Sequence, residues 1–277
     1  MASIEAEFAD KNVLITGAGR GVGKRLAIGF AAAGARVGLV ARSKPELDLT
    51  KLEIEHAGGT ALHLRADVCD PDAIRTAAER MRAHWGELDI VICAAAQQGP
   101  VGPFAGNPLP AWTETIHTNL IGVANTCAAV LGPMLQRRKG KIIALSGGGG
   151  AKVRPNFSAY AASKAGLIRF IECLAEEVHS RNVQVNCMSP GGTYTHMTDE
   201  ILRAGASAGE KELEEAARIR LTGGVAAKRQ IDLAMFLASE RSNHVSGKML
   251  HIDDDWRKLE TLTLHPEMYT LRRMLKA

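Results

Sequence analysis

The sequence predicts an α/β protein: a doubly wound, seven-stranded parallel sheet with helices on both faces, formed as one domain over residues 1–277. Three observations predict it. Short β-branched or apolar runs alternate with longer stretches of helical periodicity along the chain. The first run leads into a glycine-rich turn that opens a helix. No internal repeat, linker or low-complexity segment divides the chain, and its length suffices to bury a sizeable core. Strands joined by helices pair in parallel and are covered on both faces, and right-handed crossovers favour winding outward in two directions.

The elements follow in order. Asn12–Thr16 (NVLIT) is strand-like and a helix follows at about Val22–Ala33. Arg36–Ala41 (RVGLVA) is the second strand, followed by a charged helix around Pro45–His56. Thr60–Arg65 (TALHLR) alternates as a strand, and Pro71 suits the first turn of the next helix. Leu88–Ala95 (LDIVICAA) is a continuous buried run, followed by a Pro/Gly-rich loop at Gly99–Pro110 and a long helix from about Ala111. Lys141–Leu145, Gln184–Met188 and Lys248–Ile252 supply three more strands. Thr195–Gly224 reads as a helical flap before the last helix and strand. Trp256–Ala277 is a basic tail with Leu spacing, expected to pack on a partner subunit or to fray.

Composition narrows the function classes. The net charge is +4, with 34 basic residues mixed among 30 acidic ones, so neither a nucleic-acid patch nor a membrane-binding surface is indicated. The first residues contain acids and no apolar core, unlike a signal peptide. No uninterrupted apolar run approaches ~18 residues, so no membrane span is expected. The five cysteines lack C-x-x-C spacing and lie mostly in apolar segments, as buried free thiols of a reducing compartment do. The nine histidines show no metal-ligand spacing, and no metal is expected. These features point to a cytoplasmic soluble protein.

The glycine-rich turn suggests a dinucleotide. ITGAGRGVGKRLA places Gly17, Gly19, Gly21 and Gly23 around Arg20 and Val22, with Gly17, Gly21 and Gly23 in G-x-x-x-G-x-G spacing. Such glycines permit a tight turn and close approach of a pyrophosphate, which the helix N-terminus then receives. The second strand ends in Ala41-Arg42, where a carboxylate would bind the 2′-hydroxyl of NAD. Arg42 and Arg20 suit a 2′-phosphate instead, so NADP is favoured, with NAD possible. At the end of the third strand, Asp67 could accept from an adenine amino group while Val68 covers the ring, or Asp67 could cap the next helix.

SAYAASKAGLIRF places Tyr160 and Lys164 one helical turn apart on one face. A phenol with a pKa near ~10 is a poor acid–base catalyst at neutral pH, and a nearby ammonium lowers that pKa. Tyr160 would then exchange a proton with a carbonyl or alcohol oxygen as hydride moves.

TGAGRGVG, Asn119 in TNLIG, YAASK and SPGGTYT together resemble the short-chain dehydrogenase/reductase family, and within it the 3-oxoacyl-carrier-protein reductase-like group. The resemblance runs from about Asp10 to Ile252. It implies a Rossmann fold, a nicotinamide cofactor and hydride exchange between alcohol and ketone. It implies Tyr160 as general acid/base, Lys164 on the nicotinamide ribose, and Asn119 holding a water in a proton relay. Pro190, Gly191, Thr193 and Thr195 would line the nicotinamide end. A homo-oligomer, tetramer or dimer, is implied, with the helices carrying Asn119 and Tyr160 between subunits.

Three departures stand out. The fourth strand ends in Cys93-Ala94-Ala95-Ala96 where the family has N-N-A-G, so the cofactor would meet Ala94 and Ala95 there. The last strand leads to Asp253-Asp254-Asp255-Trp256 in place of Asp-Gly-Gly. The family serine precedes the Tyr by thirteen residues, a position held by Gly147, while Ser146 is one residue earlier. A one-residue slip on a strand turns a side chain to the other face. Either the glycine run takes up the extra residue and Ser146 is catalytic, or the hydroxyl is absent and Gly147 opens the pocket. The leading reading is an NADP(H)-dependent oxidoreductase of secondary alcohols and ketones, reductive in the cell. The alternatives are a non-catalytic dinucleotide-binding regulator and an epimerase or dehydratase on the same scaffold.

Overall fold

The computed structural model describes residues 7–262, 264–265 and 267–272. The first six residues, where no apolar leader is expected, and the end of the basic tail lie outside them. Seven strands form one parallel sheet: β1 (Asn12–Thr16), β2 (Arg36–Ala41), β3 (Thr60–Arg65), β4 (Ile90–Cys93), β5 (Gly140–Leu145), β6 (Val183–Ser189) and β7 (Met249–His251). Their order is β3-β2-β1-β4-β5-β6-β7. The winding reverses between β1 and β4, so a crevice opens beyond the carboxyl ends of those strands.

Side chains alternate across the sheet. Val13 and Ile15 join Phe30, Leu47 and Phe236 on one face, under helices α1 (Gly21–Ala32), α2 (Lys44–His56) and α9 (Ala227–Ala238). Leu14 and Ile142 join Met81, Val130 and Leu167 on the other, under α3 (Pro71–Trp85), α5 (Gly122–Arg137) and α6 (Ser158–Val178). Local signals set the helix starts. Ser43 Oγ accepts from Glu46 N at 3.4 Å ahead of α2. Asp70 Oδ1 accepts from Asp72 N and Ala73 N, both at 3.0 Å, ahead of α3.

The long helix begins at Leu109 as α4 (Leu109–Ile116), passes through one π-helical turn at His117–Ile121, and continues as α5. The stretch 109–137 is long and apolar enough to cross a membrane by length and composition only, although no unbroken apolar run signals it. Val123, Cys127, Val130 and Met134 of that stretch pack on the sheet. The segment after β6 is helical as expected: α7 (His196–Ala204) and α8 (Glu210–Thr222).

The described part of the tail packs on its own chain. Trp256 and Leu259 are buried, with the Trp256 ring 5.1 Å from that of Phe236. Met249 N donates to Tyr269 O at 2.8 Å, which lays the tail along the open edge of β7. Leu271 N donates to Glu172 Oε1 at 2.7 Å.

Candidate active site

A cavity of about 890 Å³ runs over the carboxyl ends of the strands, from Arg42 and Asp67 at one end to Tyr160 and the α7–α8 flap at the other. The glycine-rich turn forms its floor. A Cβ on Gly23 would lie 2.3 Å from Gly17 O, and one on Gly17, whose φ is +67°, would lie 2.7 Å from Ala95 N. Gly17 is therefore pressed against the turn that follows β4, and neither Gly17 nor Gly23 has room for a side chain. Ala94 N and Ala95 N donate to Thr16 Oγ1 at 3.2 and 3.3 Å. Those turned-in amides end β4 at Cys93, two residues short of the apolar run. They also anchor the turn where Cys93 and Ala94 stand in place of the family asparagines.

Helix α1 differs from α2, α3 and α7. Its first turn holds no acid, and Arg20 ahead of it offers no side-chain cap. Its leading amides are open to an anion, with the helix dipole behind them. Gly19, Gly21 and Val22 border the cavity at this point. These observations fit a pyrophosphate.

Both arginines lie at the far end, and each faces an acid. Arg42 Nη1 is 3.8 Å from Asp67 Oδ2, and Arg20 Nη1 is 3.6 Å from Glu46 Oε1. Asp67 Oδ1 accepts from Cys69 N at 2.9 Å, and Asp70 caps α3, so Asp67 does not. Val68 packs against Gly122, where a Cβ would meet its Cγ2 at 2.6 Å.

The nicotinamide end is built on the exit from β6. Gly191 takes φ +73°, and Gln230 Nε2 donates to Pro190 O at 2.9 Å and to Thr193 Oγ1. At the start of α7, Thr198 Oγ1 accepts from Thr195 N at 3.2 Å. A Cβ on Gly21 would lie 3.3 Å from Thr195 Cγ2, so the flap begins over the glycine-rich turn.

Tyr160 and Lys164 stand together in α6 and border the cavity. Lys164 is buried, and its Nζ donates to Leu145 O at 2.7 Å and lies 5.7 Å from the Tyr160 ring centre. Burial pushes its pKa down to about 8, while the Cys187 and Cys93 thiols oppose this. Burial pushes the Tyr160 phenol above its ordinary value, and the cation that opposes this is Arg154, 5.4 Å from its ring centre. The phenol thus lies above its usual range despite the neighbouring ammonium.

Asn119 sits in the π-helical turn, fully buried. Its Oδ1 accepts from Gln97 N at 2.9 Å, and its Nδ2 donates to Gln97 O and Ser163 Oγ, both at 3.0 Å. Ser163 Oγ in turn donates to Tyr160 O at 2.7 Å. The amide thus ties the β4 loop to the Tyr160 turn of α6, and its side chain does not border the cavity.

The serine register is resolved geometrically. A Cβ on Gly147 would lie 2.5 Å from Tyr160 Oη. Ser146 is buried, its Oγ has no hydrogen-bond partner among the described residues, and a Cβ on Gly150 would lie 3.0 Å from it. The position facing the phenol hydroxyl is therefore Gly147, and Ser146 points under the glycine run.

Residues without a local sequence signal complete the site. Arg154 pairs with Glu212 of α8 at 2.7 Å and stacks 3.9 Å over the Phe157 ring. Phe157 packs with Ile201, Ala208 and Ala216, so the flap closes on the β5–α6 turn. Gln98 lies buried beside the cavity.

A doubly wound sheet with this cavity defines a dinucleotide-binding protein. Residues 11–205 match the short chain dehydrogenase family, and the chain belongs to it. It is 34% identical over 251 residues to the 3-oxoacyl-acyl-carrier-protein reductase FabG of Escherichia coli, spanning 89% of this chain and 97% of the relative. Among solved structures it resembles an actinorhodin polyketide ketoreductase with NADPH, with a TM-score of 0.80, 26% identity and coverage of 91% and 97%. It also resembles a gluconate 5-dehydrogenase from Burkholderia cenocepacia in complex with NADP and tartrate, with a TM-score of 0.79, 26% identity and coverage of 90% and 96%. The chain is thus an oxidoreductase of CH–OH and carbonyl groups that uses NAD(P).

Proposed function

We propose that this chain is an NADP(H)-dependent reductase that interconverts a ketone and a secondary alcohol, with Tyr160 as general acid/base. The observation that carries the reading is the Tyr160–Lys164 pair at one end of a cavity whose other end holds the uncapped α1 and two arginines. Nicotinamide, when bound, supplies or accepts the hydride. The α1 amides receive the pyrophosphate. Arg42 and Arg20 exchange Asp67 and Glu46 for the 2′-phosphate, a doubly charged partner. Lys164 holds the nicotinamide ribose, and Arg154 is the cation that favours the phenolate. Tyr160 gives its proton to the carbonyl oxygen in reduction and takes it back in oxidation. Asn119 acts by positioning, holding Gln97 and the Tyr160 turn of α6 together. The homo-oligomer would pair α5 and α6, where Ala128 and Ala162 are exposed and small.

NADPH oxidation measured against a ketone panel tests this reading. Tyr160→Phe is expected to lower kcat at least about a hundredfold with cofactor binding intact. Activity unchanged in that variant overturns the mechanism, and cofactor binding with no turnover on any substrate favours a regulator. Arg42→Ala is expected to weaken NADP binding about tenfold or more and NAD binding little. Equal losses for both cofactors overturn the NADP assignment.

A further inference from the structure

Two buried polar side chains beside the cavity lack a hydrogen-bond partner among the described residues: Ser146 Oγ and Gln98 Nε2. A donor left in this state costs about 1–3 kcal/mol, so such groups need an explanation. Ser146 lies beneath the glycine run. Gln98 is different, because the chain around it is held in place.

Gln97 is clamped on both sides of its peptide by Asn119, and Asn119 is tied through Ser163 to Tyr160. Gly102 N donates to Asn156 O at 2.8 Å, which joins the same loop to the segment leading into α6. Gln98 is thus presented from a rigid frame that also holds the phenol. Its residue exposure is 2%, and Nε2 is withdrawn from solvent. Turning the amide over would orphan the oxygen instead. Turning the amide toward a ligand therefore breaks no hydrogen bond.

We infer that the Gln98 carboxamide is a substrate-recognition group that donates to an oxygen other than the reacting carbonyl oxygen. The inference rests on the ketone site proposed above. Tyr160 serves the reacting oxygen. Gln98 follows β4, and the turn beside Tyr160 follows β5. Gln98 and Tyr160 border the same cavity from different elements, so the amide meets the same small molecule from another side. The preferred ketones carry a second acceptor near the carbonyl, such as an ester, carboxylate or hydroxyl oxygen.

The test compares ethyl 3-oxobutanoate with 2-heptanone in the wild type and in Gln98→Leu. The variant is expected to raise KM for the ester about tenfold to a hundredfold and to leave the plain ketone within about threefold. Its Tm is expected to stay level or rise, because an orphaned amide is removed. Equal losses on both ketones, or no loss on either, overturn the inference. Gln98→Met serves if the Leu variant fails to fold. Titration of the same ketones into NADP-saturated Tyr160→Phe, with and without Gln98→Leu, reads the inference without turnover. Tighter ester binding that vanishes with Gln98 supports it even if the reductase reading fails, and equal or absent binding overturns it.

Discussion

The protein has two glycine-rich turns at the same edge of its sheet, and they answer different demands. Glycines of the turn after β1 are demanded by close backbone approach: Gly17 has positive φ, and Gly23 touches the Gly17 carbonyl. No glycine of the turn after β5, Gly147–Gly150, has positive φ. A Cβ on Gly148 would meet nothing within 4 Å. The first turn is a fixed cradle for a group that is the same in every turnover. The second is mixed: a Cβ on Gly147 would lie 2.5 Å from the Tyr160 hydroxyl and one on Gly150 would lie 2.8 Å from Ile168 Cδ1, while Gly148 stands in open space. Glycine therefore serves close approach of backbone in one place and close approach of side chains in the other.

The comparison breaks most readily at Gly23. Gly23→Ala sets a Cβ against backbone that cannot yield. It is expected to cost about 3 kcal/mol or more in chemical unfolding and to abolish cofactor binding by fluorescence titration. Gly148→Ala is expected to change stability by less than about 0.5 kcal/mol, and a large loss there would erase the contrast.

Lys164 sharpens the contrast through pH. Its folded pKa of about 8 lies below the unfolded value of 10.5. Below pH 8 the fold carries the cost of a buried charge, and between 8 and 10.5 the unfolded chain binds the extra proton, so stability rises with pH. Lys164→Met is expected to raise Tm by about 5 °C or more at pH 7, with the gap closing by pH 10, while turnover falls at least about a hundredfold. Lys141, also buried and brought to about 8, keeps part of the pH dependence in the variant. A Tm below wild type at pH 7 would refute the account.

Gly147→Ala is expected to displace the phenol and lower kcat about tenfold to a hundredfold with little change in Tm. The smallest effect is expected from Ser146→Ala, within about threefold in kcat and with Tm level or higher. A hundredfold loss in that variant would restore Ser146 to the catalytic group.

Much of this protein was legible from local pattern. The first three strands fall where the sequence places them: β1 and β2, buried on both faces, are written as apolar runs, and β3, at the edge of the sheet, as an alternation. Tyr160 and Lys164 share a face because helical spacing alone puts them there. The glycine-rich turn was legible because its constraints act within a few residues. The register of Ser146 and Gly147 was not, since spacing along the chain does not say which side a strand end presents. The pairing of Arg154 with Glu212 links residues 58 positions apart and leaves no local trace. The Asn119 clamp on Gln97 depends on a π-helical turn, which no residue pattern announces.

The sequence by itself determined the sheet, the cradle and the Tyr–Lys pair, because periodicity and short-range sterics act over a few residues. Only the tertiary structure decided which atom faces the phenol, which amide is left without a partner and what the flap closes on. Those are settled by packing between segments distant in sequence, where an ångström of approach separates a hydrogen bond from an orphaned group.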